Sequence, residues 1–283
     1  MLTTTVNLYE YFGVQPPEGG RGWLECWIPA TPEGVGRERR VPAMLVLPGG
    51  GYSRTSPRES ETVALPFAAA GYAVFSLQYT CAPQPFPVAL REAVMAMRYI
   101  RENADRWKIH PGMVAAMGFS AGGHLCGTLG TMYDCPEVAD LGEAALLRPD
   151  ALVLCYPVAV SWGSTHEGSF QNVSGGDGEL RARLSLDRLV RPDMPPVFLW
   201  HTRDDALVPV RNSLILAQAL DQAGVDFAMH VYRSGVHGLA NADELVYCAG
   251  EVPAHSPDAD GWLQTAMSFL RELGFGIRDG QRQ

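Results

Sequence analysis

Residues Gly118-Phe119-Ser120-Ala121-Gly122 set one serine between small residues, after an apolar run and before a segment of helical character. A G-x-S-x-G sequence in that context is the pattern of a serine held on a sharp strand-to-helix turn. Its glycines let strand and helix approach closely, and the hydroxyl is pushed out above the sheet edge. The helix that follows brings unpaired N–H groups beside it. A serine hydroxyl is a weak nucleophile at neutral pH, so this chemistry needs an imidazole to take the proton and a carboxylate to orient the imidazole. The competing reading is an ordinary serine in a glycine-rich turn, and the rest of the chain must decide between them.

Candidate partners lie downstream. Val197-Phe198-Leu199-Trp200 reads as a buried strand and runs into His201-Thr202-Arg203-Asp204-Asp205-Ala206-Leu207-Val208-Pro209. An acid just past the carboxyl end of such a strand shares a sheet edge with Ser120. Asp205 is the preferred acid, because it falls in the spacing His-x-x-x-Asp-x-x-Val-Pro; Asp204 is then a solvated or capping neighbour. Of seven histidines, His110 precedes a proline in a turn, His230 sits within a strand pattern, and His255 lies in a polar loop. His201 ends a strand, where packing or hydrogen bonding suits it, and His124 projects from the helix after Ser120, where a pocket-wall or core role fits. His237, in Gly235-Val236-His237-Gly238 beyond the last strand pattern, is the expected base.

Acyl transfer by a serine also creates an oxyanion, which is best stabilised by N–H groups already aimed at it. Leu45-Val46-Leu47-Pro48-Gly49-Gly50-Gly51-Tyr52 carries a strand into three glycines, and the expected donors are the amides of Gly50, Gly51 and Ala121. A phosphate cradle would require a following Gly-Lys-Ser/Thr, and a dinucleotide site the spacing G-x-G-x-x-G; neither is present. A plain flexible strand-end loop is the remaining alternative.

Taken together, Pro-Gly-Gly-Gly-Tyr at 48–52, Gly-Phe-Ser-Ala-Gly-Gly-His at 118–124, Phe-Leu-Trp-His-Thr-Arg-Asp-Asp-Ala-Leu-Val-Pro at 198–209 and Gly-Val-His-Gly at 235–238 resemble the α/β-hydrolase esterases of the acetyl-esterase and acetylxylan-esterase-like group. The order serine, acid, histidine is that of an α/β-hydrolase, and the resemblance covers residues 40–272. In the wider hormone-sensitive-lipase-like group the glycine motif begins with His; here Pro48 stands in that place and removes a side chain that would hydrogen-bond the loop. The resemblance implies hydrolysis of short acyl esters, including acetyl groups on sugars, with no cofactor and no metal.

The chain has 283 residues, 47% hydrophobic and 19% charged, enough for one α/β domain with a large core. A net charge of −9 argues against nucleic acid or an anionic membrane as partner. Six cysteines without a C-x-x-C pair point to buried free thiols, not to a zinc site or disulfide framework. Met1-Leu2-Thr3-Thr4-Thr5 lacks the basic and apolar regions of a leader, and cytoplasmic residence is the default expectation.

Strands are expected near 22–28, 43–47, 72–78, 113–118, 151–156, 197–201 and 226–232, with His110-Pro111-Gly112 as a turn before the fourth. Helices alternate with most of them. Leu90, Val94, Met97 and Ile100 form one apolar stripe, and Trp262, Ala266, Phe269 and Leu273 another, stopped by Gly274. This alternation predicts an α/β-hydrolase fold, a mostly parallel central sheet flanked by helices, in a single domain. Residues 158–196 interrupt it, with a short helical pattern around 180–189. They are expected to form a small lid that brings Trp162 or His166 to the substrate, or else a solvated connection. Tyr52-Ser53-Arg54 and residues 79–86 are a second candidate wall, with Tyr52 and His124 as further substrate contacts.

The expected function is hydrolysis of a short-acyl ester, sharpest as a carbohydrate acetate. Its rivals are a serine peptidase of the prolyl-oligopeptidase type, which would need a further domain to select peptides, and a noncatalytic binding module on the same scaffold.

Overall fold

The apolar runs at the centre of the chain become strands buried on both faces. The computed structural model describes residues 1–30, 39–243, 256–276 and 278–279; His255 and Cys248 lie outside them. Eight strands, β1 (Leu2–Asn7), β2 (Trp23–Ile28), β3 (Arg39–Leu47), β4 (Ala73–Gln78), β5 (Ile109–Phe119), β6 (Ala151–Cys155), β7 (Val197–Thr202) and β8 (Phe227–Tyr232), hydrogen-bond in the order β1-β2-β4-β3-β5-β6-β7-β8. The pairs β1–β2 and β2–β4 are antiparallel. From β4 to β8 neighbours in this order pair parallel, and the short strand Arg278–Asp279 pairs antiparallel with the start of β3. Buried parallel strands need apolar side chains on both sides, and alternate residues serve two separate cores. Leu45, Leu47, Ala116, Leu154 and Leu199 pack under the helices Val88–Glu102, Ala121–Met132 and Arg211–Ala223. Met44, Met117, Phe119, Val153 and Trp200 pack on the other face, under Glu61–Ala69 and Trp262–Glu272.

Strand β1 has no counterpart in the sequence reading. Its Thr-rich stretch is largely exposed at the sheet edge, so it lacks an apolar run, and only its β-branched residues favour the extended backbone. Asn7 then caps the helix Leu8–Phe12 by accepting the Glu10 N–H (3.1 Å).

The turn expected at His110-Pro111-Gly112 is a bulge within β5. Val41 pairs with Ile109 and Ala43 with Val114, so residues 110–113 stand opposite Pro42 alone. A proline supplies no N–H to a ladder, and the extra residues loop out where pairing is already broken.

Residues 158–196 form three short helices, Glu167–Ser174, Gly178–Arg183 and Leu186–Leu189. The last two divide the expected helical stretch, and the first was not foreseen. The segment is tied down from below: Ala159 and Val160 N–H donate to Asn212 Oδ1 (3.1 and 3.2 Å), and Ser161 N–H donates to Ser185 Oγ (2.8 Å).

Candidate active site

Three strand ends converge on the serine. Ser120 follows β5 directly with φ +53°, a left-handed conformation that costs a non-glycine residue on the order of 1–3 kcal/mol. Backbone bonds hold it there: its N–H donates to Cys155 O (3.0 Å), and its carbonyl accepts from His124 N–H (3.1 Å) and Val158 N–H (3.0 Å). The flanking glycines are required by space. A Cβ on Gly118 would sit 2.1 Å from Gly122 O, and one on Gly122 would sit 2.1 Å from Leu47 O.

The loop after β8 brings His237 over the serine. Its Nε2 lies 2.8 Å from Ser120 Oγ and its Nδ1 lies 2.6 Å from Asp205 Oδ2. The tautomer with Nδ1–H donating to the carboxylate leaves Nε2 free to accept the serine proton. The second oxygen of Asp205 accepts the N–H groups of Leu207 and Val208, both at 2.9 Å. His201, wholly buried, holds Ser213 Oγ (2.7 Å) and Val208 O (2.8 Å), with Nε2 also 3.3 Å from Asp205 Oδ2. Burial works to raise the Asp205 carboxyl. The hydrogen bonds from His201 and His237, the His237 charge and the Val208 N–H outweigh it and hold the group well below the usual carboxylate range. Asp204 instead caps the loop of the histidine: its Oδ1 accepts the Gly235 N–H (2.8 Å) while Thr202 Oγ1 donates to Gly235 O (2.8 Å).

Beside Ser120 the loop after β3 turns through Gly50 (φ +126°) and Gly51 (φ +66°). The N–H groups of Gly50, Gly51 and Ala121 have no protein acceptor among the described residues, so they remain available to a developing anion.

The four expected substrate contacts separate into two kinds. Tyr52 and His124 are buried, at 3% and 1% exposure. His124 Nε2–H donates to Leu184 O (2.7 Å), so its Nδ1 accepts the Tyr52 hydroxyl (2.8 Å). Burial lowers the His124 imidazole to about 4 and keeps it neutral. Their polar tips are therefore bonded to the interior, where both residues line a cavity of about 10 Å³ that holds at most one water. His166 and Trp162 lie outside that interior. The His166 ring caps the helix Glu167–Ser174 by accepting the Ser169 N–H (3.2 Å) and hydroxyl (2.7 Å) at Nδ1. Its Cε1 overhangs the glycine loop, 3.4 Å from where a Gly51 Cβ would be. Burial and the nearby His237 lower its pKa. Trp162 is 42% exposed, its indole N–H given to Asp187 Oδ2 (3.1 Å). On the His237 side, an open cleft of about 320 Å³ is lined by Ala206, Leu207, Ser234 and Val236.

Two residues of this neighbourhood escaped the sequence reading. Glu59 is 3% exposed and accepts the Gly49 N–H at Oε2 (2.7 Å) and the Tyr156 hydroxyl at Oε1 (2.8 Å). The Tyr156 ring stands edge-on to the His237 ring at 5.1 Å. Glu59 sits in a run of polar residues that reads as solvated surface, and Tyr156 at a strand end reads as core, so no local pattern marked either.

Residues 31–146 match the BD-FAE family model and residues 163–249 the prolyl oligopeptidase family model. A crystal structure of an acetyl ester-xyloside bifunctional hydrolase from Caldicellulosiruptor lactoaceticus superposes with a TM-score of 0.81 at 32% identity, over 96% of this chain and 97% of that one. An acetylxylan esterase of Xylanibacter ruminicola is 29% identical over 278 residues, 91% of this chain and 54% of its own length. Endo-1,4-beta-xylanase B of Butyrivibrio fibrisolvens is 38% identical over 213 residues, 71% of this chain and 33% of its own length. The chain thus spans about half of one of these curated relatives and a third of the other.

Proposed function

Since the chain belongs to the acetyl-esterase-like group of α/β-hydrolase esterases, we propose that it is a serine carboxylic-ester hydrolase acting on short acyl esters, foremost acetyl groups on carbohydrate. The observation that carries this reading is the unbroken relay from Ser120 Oγ through His237 (2.8 Å) to Asp205 (2.6 Å). In the proposed reaction Ser120 Oγ attacks the ester carbonyl carbon as His237 Nε2 takes its proton. Asp205 stabilises the imidazolium, and the amides of Gly50, Gly51 and Ala121 receive the oxyanion. His237 then protonates the leaving alcohol as the C–O bond breaks, and water repeats the sequence on the acyl-enzyme. No step calls for a metal or cofactor.

The short acyl group, acetyl foremost, is suggested by the names of the relatives. The open cleft lined in part by His237 is the proposed place of a bulky polar leaving group such as a sugar. His166 and Trp162 would meet the substrate from the capping segment. Acetyl esters of xylan are the substrate class suggested by the names of the relatives.

The match of residues 163–249 to the prolyl oligopeptidase family keeps peptide hydrolysis as a second reading. Turnover of a chromogenic acetate, a long-chain ester and a proline amide separates the two. The acetate is expected to be the best substrate, and Ser120→Ala to lower its kcat by about 10⁴-fold or more. Preferential amide cleavage would favour the peptidase, and equal rates in wild type and variant would favour a noncatalytic scaffold.

A further inference from the structure

The peptide unit between Pro48 and Gly49, immediately before the proposed oxyanion amides, is held at both ends. Its carbonyl accepts the Tyr79 hydroxyl (2.6 Å) and its N–H donates to Glu59 (2.7 Å). A buried carboxylate is costly unless its oxygens are satisfied, and Glu59 has a donor on each: Gly49 N–H on one, Tyr156 hydroxyl on the other. Tyr156 in turn accepts the Ala240 N–H (2.8 Å), on the loop that carries His237, and sets its ring against the imidazole. Tyr156 itself has φ +37°, another strained position at the site. Gly49 itself fills the gap between Glu59 and the serine turn: a Cβ on it would lie 2.7 Å from Glu59 Oε2, 2.8 Å from Phe119 O and 3.0 Å from Ser120 Cβ.

From this geometry we propose that Glu59 and Tyr156 are a pair of positioning residues: one buried clamp that fixes the oxyanion loop and the His237 loop relative to each other across Ser120. The proposal rests on the serine-esterase reading above. Burial raises the Glu59 pKa, while the donors suit its ionised form, because both of its oxygens accept and the Tyr156 oxygen already takes an N–H. Neither residue touches the reacting atoms. Their role is to keep preorganised donors and the base at one spacing, where a displacement of an ångström can cost about a hundredfold in rate. A neutral, isosteric Glu59→Gln can keep its carbonyl oxygen on the Gly49 N–H only by turning its NH2 toward the Tyr156 hydroxyl, whose oxygen already takes the Ala240 N–H and whose proton then loses its carboxylate acceptor, so that side of the clamp is weakened without emptying the site.

The test uses two readouts on wild type, Glu59→Gln, Tyr156→Phe and the double variant: kcat and KM for a chromogenic acetate, and the rate at which a fluorophosphonate labels Ser120. For Glu59→Gln, kcat and the labelling rate should fall together by about tenfold to a hundredfold. KM should stay within about twofold. Tyr156→Phe should show a smaller loss of the same kind, and the double variant should be no worse than Glu59→Gln alone, because both break one linkage. Folded variants that keep wild-type rates in both readouts and lose only thermal stability would overturn the proposal, as would losses that multiply in the double variant. If Glu59→Gln does not fold, Tyr156→Phe decides: slowed labelling supports the clamp, and a wild-type rate refutes it. A wild type that is labelled at Ser120 but turns over no ester would refute the esterase reading while the labelling rates still judge the clamp. Absence of both reactions would refute both.

Discussion

The centre of the sheet edge and the segment 158–196 above it are built by different means. Around Ser120 every positioning group is backbone or a buried side chain: strand ends of β3, β5 and β7, the glycines that let them meet, and the hydrogen bonds of Asp205. In the overlying segment the helices are short, and several of their ties are exposed ion pairs, as in Arg181 with Glu167 (2.6 Å). The first arrangement depends on long-range strand register, and a small error there propagates to the reacting atoms. The second depends on local contacts that water competes for. Substitutions in the two regions should therefore differ greatly in size, and in whether rate or stability is hit.

The sharpest contrast within the central region is between neighbouring aspartates. Asp205→Asn should lower kcat by about 10³- to 10⁴-fold, because an amide there spoils the His237 tautomer. Asp204→Asn, which disturbs only a loop cap, should cost less than about tenfold. Steady-state kinetics on the two variants checks this, and similar losses in both would break the assignment of the acid.

Beneath the glycine loop the effect should appear in stability. Buried His124 is lowered from its ordinary value of 6.5 to about 4, so between these values the unfolded chain binds a proton that the folded chain does not. Its contribution is complete above about pH 6.5 and is lost as pH falls toward 4, at up to about 1.4 kcal/mol per pH unit. Denaturant melts across that window should become flatter in His124→Gln; an unchanged slope would contradict a neutral buried imidazole. The smallest effect belongs to the overlying segment: Arg181→Ala should change stability by less than about 1 kcal/mol and leave kcat within about twofold. A large loss of kcat there would erase the distinction between the two regions.

Much of the site was legible because the chemistry is confined to strand ends, where a buried parallel strand leaves a plain apolar run and the residue after it falls on one edge. Ser120, Asp205, His237 and the three glycines were singled out on that basis; the three side chains form one hydrogen-bonded chain, and Gly49 packs beside Ser120. Legibility failed where burial comes from tertiary packing. Glu59 lies in Pro57–Glu59, a single turn among polar residues, and only the packing of Tyr156 and the glycine loop over it takes it out of water. The pairing of Tyr52 with His124 was likewise hidden, because nearness in sequence to the motifs does not show that each is the other's hydrogen-bond partner. Strand β1 was missed because an edge strand need not be apolar, and the bulge at 110–113 because a turn signal does not reveal whether pairing resumes on the same strand.

The most direct measurement is the structure of the protein after reaction with a phosphonate ester that mimics the tetrahedral intermediate. A single adduct on Ser120 is predicted, its phosphonyl oxygen within about 3 Å of the N–H groups of Gly50, Gly51 and Ala121. An adduct on another residue, or an oxygen turned away from these amides, would contradict the account.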